Sequence, residues 1–179
     1  ENKLTALFWG INKLLRLQVL ILDMNEFLVI PDEIFDLFSL EELWLAGNRI
    51  SHLSAEISVL KRLRIVQMTS NRLMSIPPEL SHCELLEELL FSENLVSILP
   101  TEIGLCIRLT RLEYDDNPIT HPLQEIISRG NIYTREYLQY CAKGISTGTI
   151  NLSSMNLASY PYELTVVAKT VTDLDLSHN

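Results

Sequence analysis

Apolar residues recur along this chain with a period of 23 residues, and each copy shows the same order of apolar and polar positions. An asparagine marks the period at Asn2, Asn25, Asn48, Asn71, Asn94 and Asn117. In the first complete copy the apolar positions are Leu17, Leu20, Leu22, Phe27, Ile30, Ile34 and Leu37. A fixed period of this length is typical of a solenoid built from stacked, similar units.

Each part of the copy predicts a local structure. Leu20 and Leu22 alternate with an outward residue, which predicts a short strand with one buried face. Strands of neighbouring copies would pair in parallel about 4.8 Å apart. The recurrent asparagine ends the strand, where a buried amide can bond the unpaired backbone groups of adjacent turns. The Ile-Pro step at 30–31 then predicts a short helical turn with proline in its first turn, and Ile34 and Leu37 point that turn inward.

The pattern resembles the 23-residue leucine-rich repeat of the Ras suppressor, of Scribble-type scaffolds and of plant intracellular Ras-group proteins, over residues 4–123. The resemblance implies an α/β leucine-rich-repeat solenoid, with a curved parallel sheet on the concave face and short helices and turns on the convex face. These families bind many different partners. The motif is therefore specific for the fold and only weakly specific for function.

The period fails after Asn117, where Pro122 takes an apolar position and Arg129 replaces a core leucine. This segment is similar to the Asn-Pro-Leu…Gly…Tyr-Leu ending that follows intracellular repeat blocks. It lacks the cysteines of the cap that closes secreted arrays, and this departure favours a reducing, cytoplasmic compartment.

A longer helix is predicted over residues 131–143, with Asn131 as N-cap, and Gly144 to Gly148 is predicted as a linker or turn. A repeat then resumes with Met155 at the asparagine position. We expect the chain to be a piece of a longer one. The predicted organisation is a first repeat block, truncated at its N-terminus, over residues 1–130, a block-ending helix and linker over 131–148, and the start of a second block, truncated at its C-terminus, over 149–179.

Composition limits the partners. Apolar residues make up 47% of the chain and charged residues 21%, which is a globular composition. The net charge of −9 would repel a phosphate backbone or an anionic membrane surface, so we expect neither nucleic acid nor membrane as a partner. No uncharged apolar run of about 18 residues is present, which argues against a spanning helix.

No constellation that carries chemistry stands out. The four histidines share no metal-ligand spacing with each other or with the three cysteines, and Cys83 and Cys106 replace a core leucine in adjacent copies. Asp115 and Asp116 are not followed by a calcium-binding series. The glycosylation triplet at 151–153 falls on a predicted strand, where chance explains it better than modification. We therefore expect no catalytic residue, no metal and no cofactor in this chain.

Function must then reside in residues that the scaffold does not need, which are the outward positions of each strand and its following turn. Several of these are apolar although they are predicted to face solvent, and acidic residues gather toward the C-terminal strands. Exposed apolar surface with an aromatic residue is typical of a protein-binding site. The predicted partner-binding residues are Val19, Ile21, Glu42, Trp44, Ile65, Gln67, Glu88, Leu90, Glu93, Arg111, Glu113, Asp115 and Asp116.

Two functions fit this sequence. In the first, the chain is a cytoplasmic scaffold or signalling module that binds a protein partner, with a basic and apolar contact surface, on its concave face. In the second, it is the targeting or regulatory arm of a larger enzyme, such as a Roco-type GTPase–kinase or a repeat-bearing phosphatase. Both use the same solenoid, so the sequence alone does not separate them.

Overall fold

The computed structural model describes residues 2–122, 124–167 and 169–179. One parallel sheet holds five three-residue strands in chain order: β1 (Val19–Ile21), β2 (Glu42–Trp44), β3 (Ile65–Gln67), β4 (Glu88–Leu90) and β5 (Arg111–Glu113). Each strand residue pairs with the residue one period later, as Leu20 does with Leu43. The predicted α/β solenoid with a parallel sheet is therefore confirmed.

A continuous apolar core runs through the repeats. The middle residue of each strand points into it, and Leu43, Val66, Leu89 and Leu112 are all buried. Burying one such side chain contributes about 1.5–3 kcal/mol, and each repeat gains this only by stacking on its neighbours. The sheet is consequently rigid. Equivalent outward side chains on neighbouring strands are 23 residues apart in the sequence.

Short 3-10 helices cover the opposite side of the core at Ile11–Lys13, Asp32–Asp36, Ala55–Val59, Pro78–His82 and Thr101–Leu105. Ile34 and Leu37 are fully buried, as predicted. The predicted place of the proline is wrong by one residue, because Pro31, Pro77 and Pro100 are N-caps. Their ψ angles of 134° to 137° are those of extended backbone, so each helix begins at the following residue.

The recurrent asparagines form a ladder of amides along the interior. Asn94 donates from Nδ2 to the carbonyls of Met68 and Phe91, both at 2.9 Å, and its Oδ1 accepts the N–H of Leu73 at 2.8 Å. Asn71 makes the same set of bonds and is only partly buried. The ladder therefore satisfies backbone groups that the short strands leave unpaired.

Two α-helices replace the repeat after β5: α1 (Gln124–Ile127) and α2 (Asn131–Thr147). Leu123, where the resemblance was expected to end, lies outside the described residues. The N-cap of α2 is Gly130 and Asn131 is its first helical residue, so the predicted N-cap is wrong by one position. Tyr137 and Cys141, four residues apart on one face of α2, are fully buried.

The predicted linker after residue 143 is wrong, because α2 continues to Thr147. Gly144 lies inside the helix, where a Cβ would come within 2.0 Å of Cγ1 of Ile150. This glycine therefore permits close packing of the helix on the next strand and does not end the helix. Gly148 ends it, with a φ of 75° in the left-handed region that glycine adopts without strain.

A separate two-stranded parallel sheet follows, built from β6 (Thr149–Asn151) and β7 (Asp173–Asp175), with α3 (Glu163–Val167) between them. Met155 lies at the asparagine position and is buried. Asn179 restores the ladder, because its Nδ2 donates to the carbonyl of Leu152 at 2.9 Å. Tyr137 joins α2 to α3 through its hydroxyl, which donates to Oε2 of the buried Glu163 at 2.8 Å.

Candidate interaction surface

The outward side chains of β1 to β5 form one face of the sheet, called here the concave face. It consists of the first and third residue of each strand, since the middle residue points into the core. The register aligns these residues in two columns across the strands: Val19, Glu42, Ile65, Glu88 and Arg111, and Ile21, Trp44, Gln67, Leu90 and Glu113. The predicted site residues on the strands therefore do share one surface.

An apolar patch occupies the N-terminal half of the concave face, formed by Val19, Ile21, Trp44 and Ile65. Val19 and Ile21 are 44% and 65% exposed, while Trp44 and Ile65 are partly buried. The indole N–H of Trp44 donates to Oε2 of Glu42 at 3.0 Å. This bond holds the ring in place and leaves its remaining exposed surface apolar.

Met24 adds an exposed apolar side chain in the turn after β1, at a position that is not among the predicted site residues. Its side chain is 63% exposed. Its Sδ lies 2.5 Å from the position that a Cβ on Gly47 would occupy. Met24 also has a φ of 55°. The residues that precede the later ladder asparagines have similar, positive φ angles. The left-handed turn directs these side chains beside the strands, and the apolar or polar pattern alone does not reveal that direction.

The C-terminal half of the concave face is charged, and much of its charge is paired internally. Arg111 donates from Nε to Oε1 of Glu113 at 2.8 Å and from NH1 to Oε2 of Glu88 at 3.0 Å. These bonds raise the pKa of Arg111, mainly through the contact with Glu113. Glu88 and Glu113 are therefore less available to a partner than their charge in the sequence suggests.

Three further carboxylates lie in the turns that follow β4 and β5. Glu93, Asp115 and Asp116 are exposed, and within the described part of the chain none of them forms an ion pair. Glu93 accepts the hydroxyl of Ser70 at 2.7 Å. The acidic end of the concave face thus has three carboxylates without ion pairs and a group around Arg111 whose two carboxylates are partly neutralised.

One predicted contact residue is not exposed. Leu90 lies on the concave face but is only 2% exposed, so the expectation that it faces solvent is wrong. Its neighbours in register are Gln67 and Glu113, two long side chains on either side. Gln67 is partly buried, and its Oε1 accepts the N–H of Thr69 at 2.9 Å.

Comparison with known proteins agrees with this architecture. The leucine-rich repeat family model matches residues 15–73. The chain has the leucine-rich-repeat fold. A leucine-rich-repeat protein of Leptospira interrogans is similar to it with a TM-score of 0.64 and 26% identity, over 98% of this chain and 35% of that one. A comparison with curated proteins finds no match.

Two plant receptors share the leucine-rich-repeat fold over a shorter stretch. The plant peptide hormone receptor RGFR1, solved in complex with RGF2, is 33% identical over 62% of this chain and 18% of that one, with a TM-score of 0.57. The ectodomain of the receptor kinase SOBIR1 from Arabidopsis thaliana is 31% identical over 61% of each chain, with a TM-score of 0.55. This chain therefore spans less than two thirds of each of these three proteins.

Within residues 2–122, 124–167 and 169–179, no group of three or more histidine, cysteine or acidic side chains could hold a metal ion. No helix in the described ranges is long and apolar enough to cross a membrane. The family model that matches is the leucine-rich repeat, which indicates no catalytic family.

Proposed function

We propose that this chain is a protein-binding module that holds its partner on the concave face. The leucine-rich-repeat fold is generally a protein–protein interaction module, and its stacked repeats present one extended surface. The observation that carries the proposal is the apolar patch of Val19, Ile21, Trp44 and Ile65, which a soluble scaffold does not need.

Trp44 is the central residue of the proposed site. It lies on β2 with Ile21 and Gln67 on either side in register, and its indole is fixed by the bond to Glu42. A ring that is already ordered loses little entropy on binding and offers a large contact area. We therefore expect Trp44 to contribute more to affinity than any other residue of the patch.

The charge of the concave face indicates the partner's chemistry. Glu93, Asp115 and Asp116 lie in the turns after β4 and β5, in the other half of the face from the apolar patch, and have no ion-pair partners among the described residues. A partner with a basic and apolar contact surface would complement both halves of the face. The carboxylates would mainly raise the association rate, since exposed charges act more on encounter than on final affinity.

The proposal places the protein in the cytoplasm. Cys83, Cys106 and Cys141 are free thiols, as expected in a reducing compartment. Asn151 provides the test, because it is exposed and belongs to an Asn-Leu-Ser triplet. A glycan on Asn151 of the native protein, detected as a mobility change after glycosidase treatment, would contradict a cytoplasmic location.

The second candidate is that these repeats are the targeting or regulatory arm of a larger enzyme, such as a Roco-type GTPase–kinase or a repeat-bearing phosphatase. The likeness to the ectodomain of a receptor kinase favours such an arrangement, since there too the repeats belong to an enzyme. The length and sequence of the intact native chain decide between an isolated module and an enzyme arm.

The test of the binding face compares the two tryptophans of the chain. Trp9 is 83% exposed and lies outside the sheet, so Trp9→Ala is a matched control for Trp44→Ala. With a partner isolated from cell extract, Trp44→Ala should weaken binding by about 2 kcal/mol or more and leave the melting temperature nearly unchanged. Trp9→Ala should change neither quantity.

A second experiment locates the partner directly. A photoreactive amino acid is placed at Ile21 on the concave face or at Phe38 outside the sheet, two positions with 65% and 59% exposure. Crosslinks to the partner should form from position 21 and not from position 38. Crosslinks from position 38 alone would overturn the concave-face proposal.

A further inference from the structure

Four side chains at the acidic end of the concave face form a square. Glu88 and Leu90 lie on β4, and they pair in register with Arg111 and Glu113 on β5. Glu88 and Glu113 are consequently at opposite corners, and Arg111 bonds both of them. The guanidinium of Arg111 therefore lies between these two carboxylates, next to the position that Leu90 occupies in the register.

This arrangement explains why Leu90 is buried on an otherwise open face. Its side chain is 2% exposed, whereas Ile21, at the same position of β1, is 65% exposed. Gln67 and Glu113 flank Leu90 in register, but they alone do not account for its burial. Trp44 also has two outward neighbours in register and is less buried. Arg111 is the additional group, and it uses all three guanidinium nitrogens to hold its position.

We infer that Glu88, Leu90 and Glu113 form an arginine-binding subsite that Arg111 occupies from within the chain, and that an arginine of the partner binds there by displacing it. An apolar floor between two carboxylates fits the flat, cationic guanidinium group. The inference rests on the proposed concave-face function and adds a specific requirement to it. The partner segment must carry an arginine, and a basic surface in general does not suffice.

Displacement of Arg111 is feasible because its ion pairs face water. The Arg111 side chain is 53% exposed, and those of Glu88 and Glu113 are 29% and 35% exposed. Ion pairs at such exposure are individually weak, since water competes for both charges. An arriving arginine would replace them with equivalent bonds while the partner buries the neighbouring apolar patch.

The sheet also sets the spacing of the partner residues. Leu90 is two strands away from Trp44 along one column, a distance of about 10 Å at the usual strand separation. A segment in polyproline II conformation rises about 3.1 Å per residue with three residues per turn, so side chains three positions apart lie on one face and about 9 Å apart. The expected partner segment therefore has an apolar residue that contacts Trp44, followed or preceded by an arginine three positions away.

The chain provides a matched control for Arg111. Arg64 also bridges two carboxylates, with Oε2 of Glu87 at 2.9 Å and Oε2 of Glu41 at 3.7 Å from its guanidinium. It lies one residue before β3 and not on the strand itself, and its two carboxylate partners, Glu41 and Glu87, are not the pair that flanks Leu90. Removing Arg64 thus frees two carboxylates outside the proposed subsite.

The test uses the whole chain and Nα-acetyl-arginine amide as the probe, with the methyl signals of Leu90 observed by NMR. Arg111→Ala should bind the probe at least ten-fold more tightly than the wild type, with shifts at the Leu90 methyls. Arg64→Ala should bind like the wild type. The uncharged isostere Nα-acetyl-citrulline amide should not bind. Arg111→Gln is measured in parallel, and unchanged signals of Leu22 report that each variant is folded.

Either of two results would overturn the subsite: no shift at Leu90 in the Arg111 variants, or equal affinity of wild type and Arg111→Ala for the arginine probe.

A second experiment uses a serine-rich hexapeptide with leucine and arginine three positions apart. It should bind Arg111→Ala at least five-fold more tightly than a peptide with the two residues adjacent, and Trp44→Ala should abolish this difference. Loss of the subsite with a retained Trp44 effect on the native partner would refute this inference alone and leave the proposed function standing.

Discussion

Replacing Asn94 with leucine should destabilise the solenoid by an amount that its hydrogen bonds determine. The carbonyls of Met68 and Phe91 would each keep one amide donor, from Asn71 and Asn117 respectively. The N–H of Leu73 would lose Oδ1 of Asn94, the acceptor that it has in this structure. One stranded buried donor costs about 1–3 kcal/mol, and this is the expected loss in the free energy of unfolding.

Urea and thermal unfolding measure the effect. For a chain of this size a loss of 1 kcal/mol lowers the melting temperature by about 2–4 °C, so Asn94→Leu should melt about 2–12 °C below the wild type. Met155→Leu is the matched control, because Met155 occupies the same repeat position without an amide. It should cost less than about 1.5 kcal/mol, as a volume-conserving change does. The loss in the free energy of unfolding for Asn71→Leu should be at the lower end of the range expected for Asn94→Leu, since Asn71 is only partly buried. Equal stability of Asn94→Leu and the wild type would refute the role of the ladder.

Three further predictions concern the junction, the thiols and the charges. Gly104→Ala should loosen α2, because the new Cβ would lie 2.3 Å from the carbonyl oxygen of Leu138; hydrogen exchange in α2 as slow as in the wild type would contradict this. Burial raises the pKa of Cys83 from its ordinary 9.0 to about 11 and those of Cys106 and Cys141 to about 12, so a thiol reagent at pH 8 should label these cysteines only after unfolding. Because these pKa values are higher in the folded state, the thiols favour folding below pH 9, and that contribution should be lost as the pH rises through 11 to 12, which alkaline unfolding curves would measure. Asp115→Asn should slow partner association and flatten its salt dependence more than Glu113→Gln does, since Glu113 is already paired with Arg111; the reverse order in stopped-flow measurements would show that the pair does not screen Glu113.

The strands and the ladder could be predicted from the sequence because they follow from one repeated constraint. Each copy must bury its leucines against the next copy, and Leu43 and Leu89 satisfy this in the same way. The asparagine of each copy meets the same unpaired backbone groups. A period of 23 residues therefore determines the register of β1 to β5 without any further information.

The end of the first block could not be predicted as well, since no repetition constrains it. The local composition around Gly144 predicts a linker or turn, whereas the role of Gly144 depends on Ile150 of the next strand. Gly104 was not singled out at all, although it permits the backbone of α2 to approach the fifth 3-10 helix. Close approach between segments leaves no pattern within either segment.

The same limit applies to the concave face, where the sequence gives the residues of each column but not the bonds between columns. Arg111 is the one cation among the outward strand positions, and the columns alone suggest a single basic residue within an acidic field. The structure pairs it with Glu88 and Glu113, which leaves this group one net negative charge, and Leu90 beside the group is buried. Whether a partner meets an acidic surface or an occupied arginine site thus depends on the rotamer of one exposed side chain, and a partner arginine can change that rotamer without any change in the backbone.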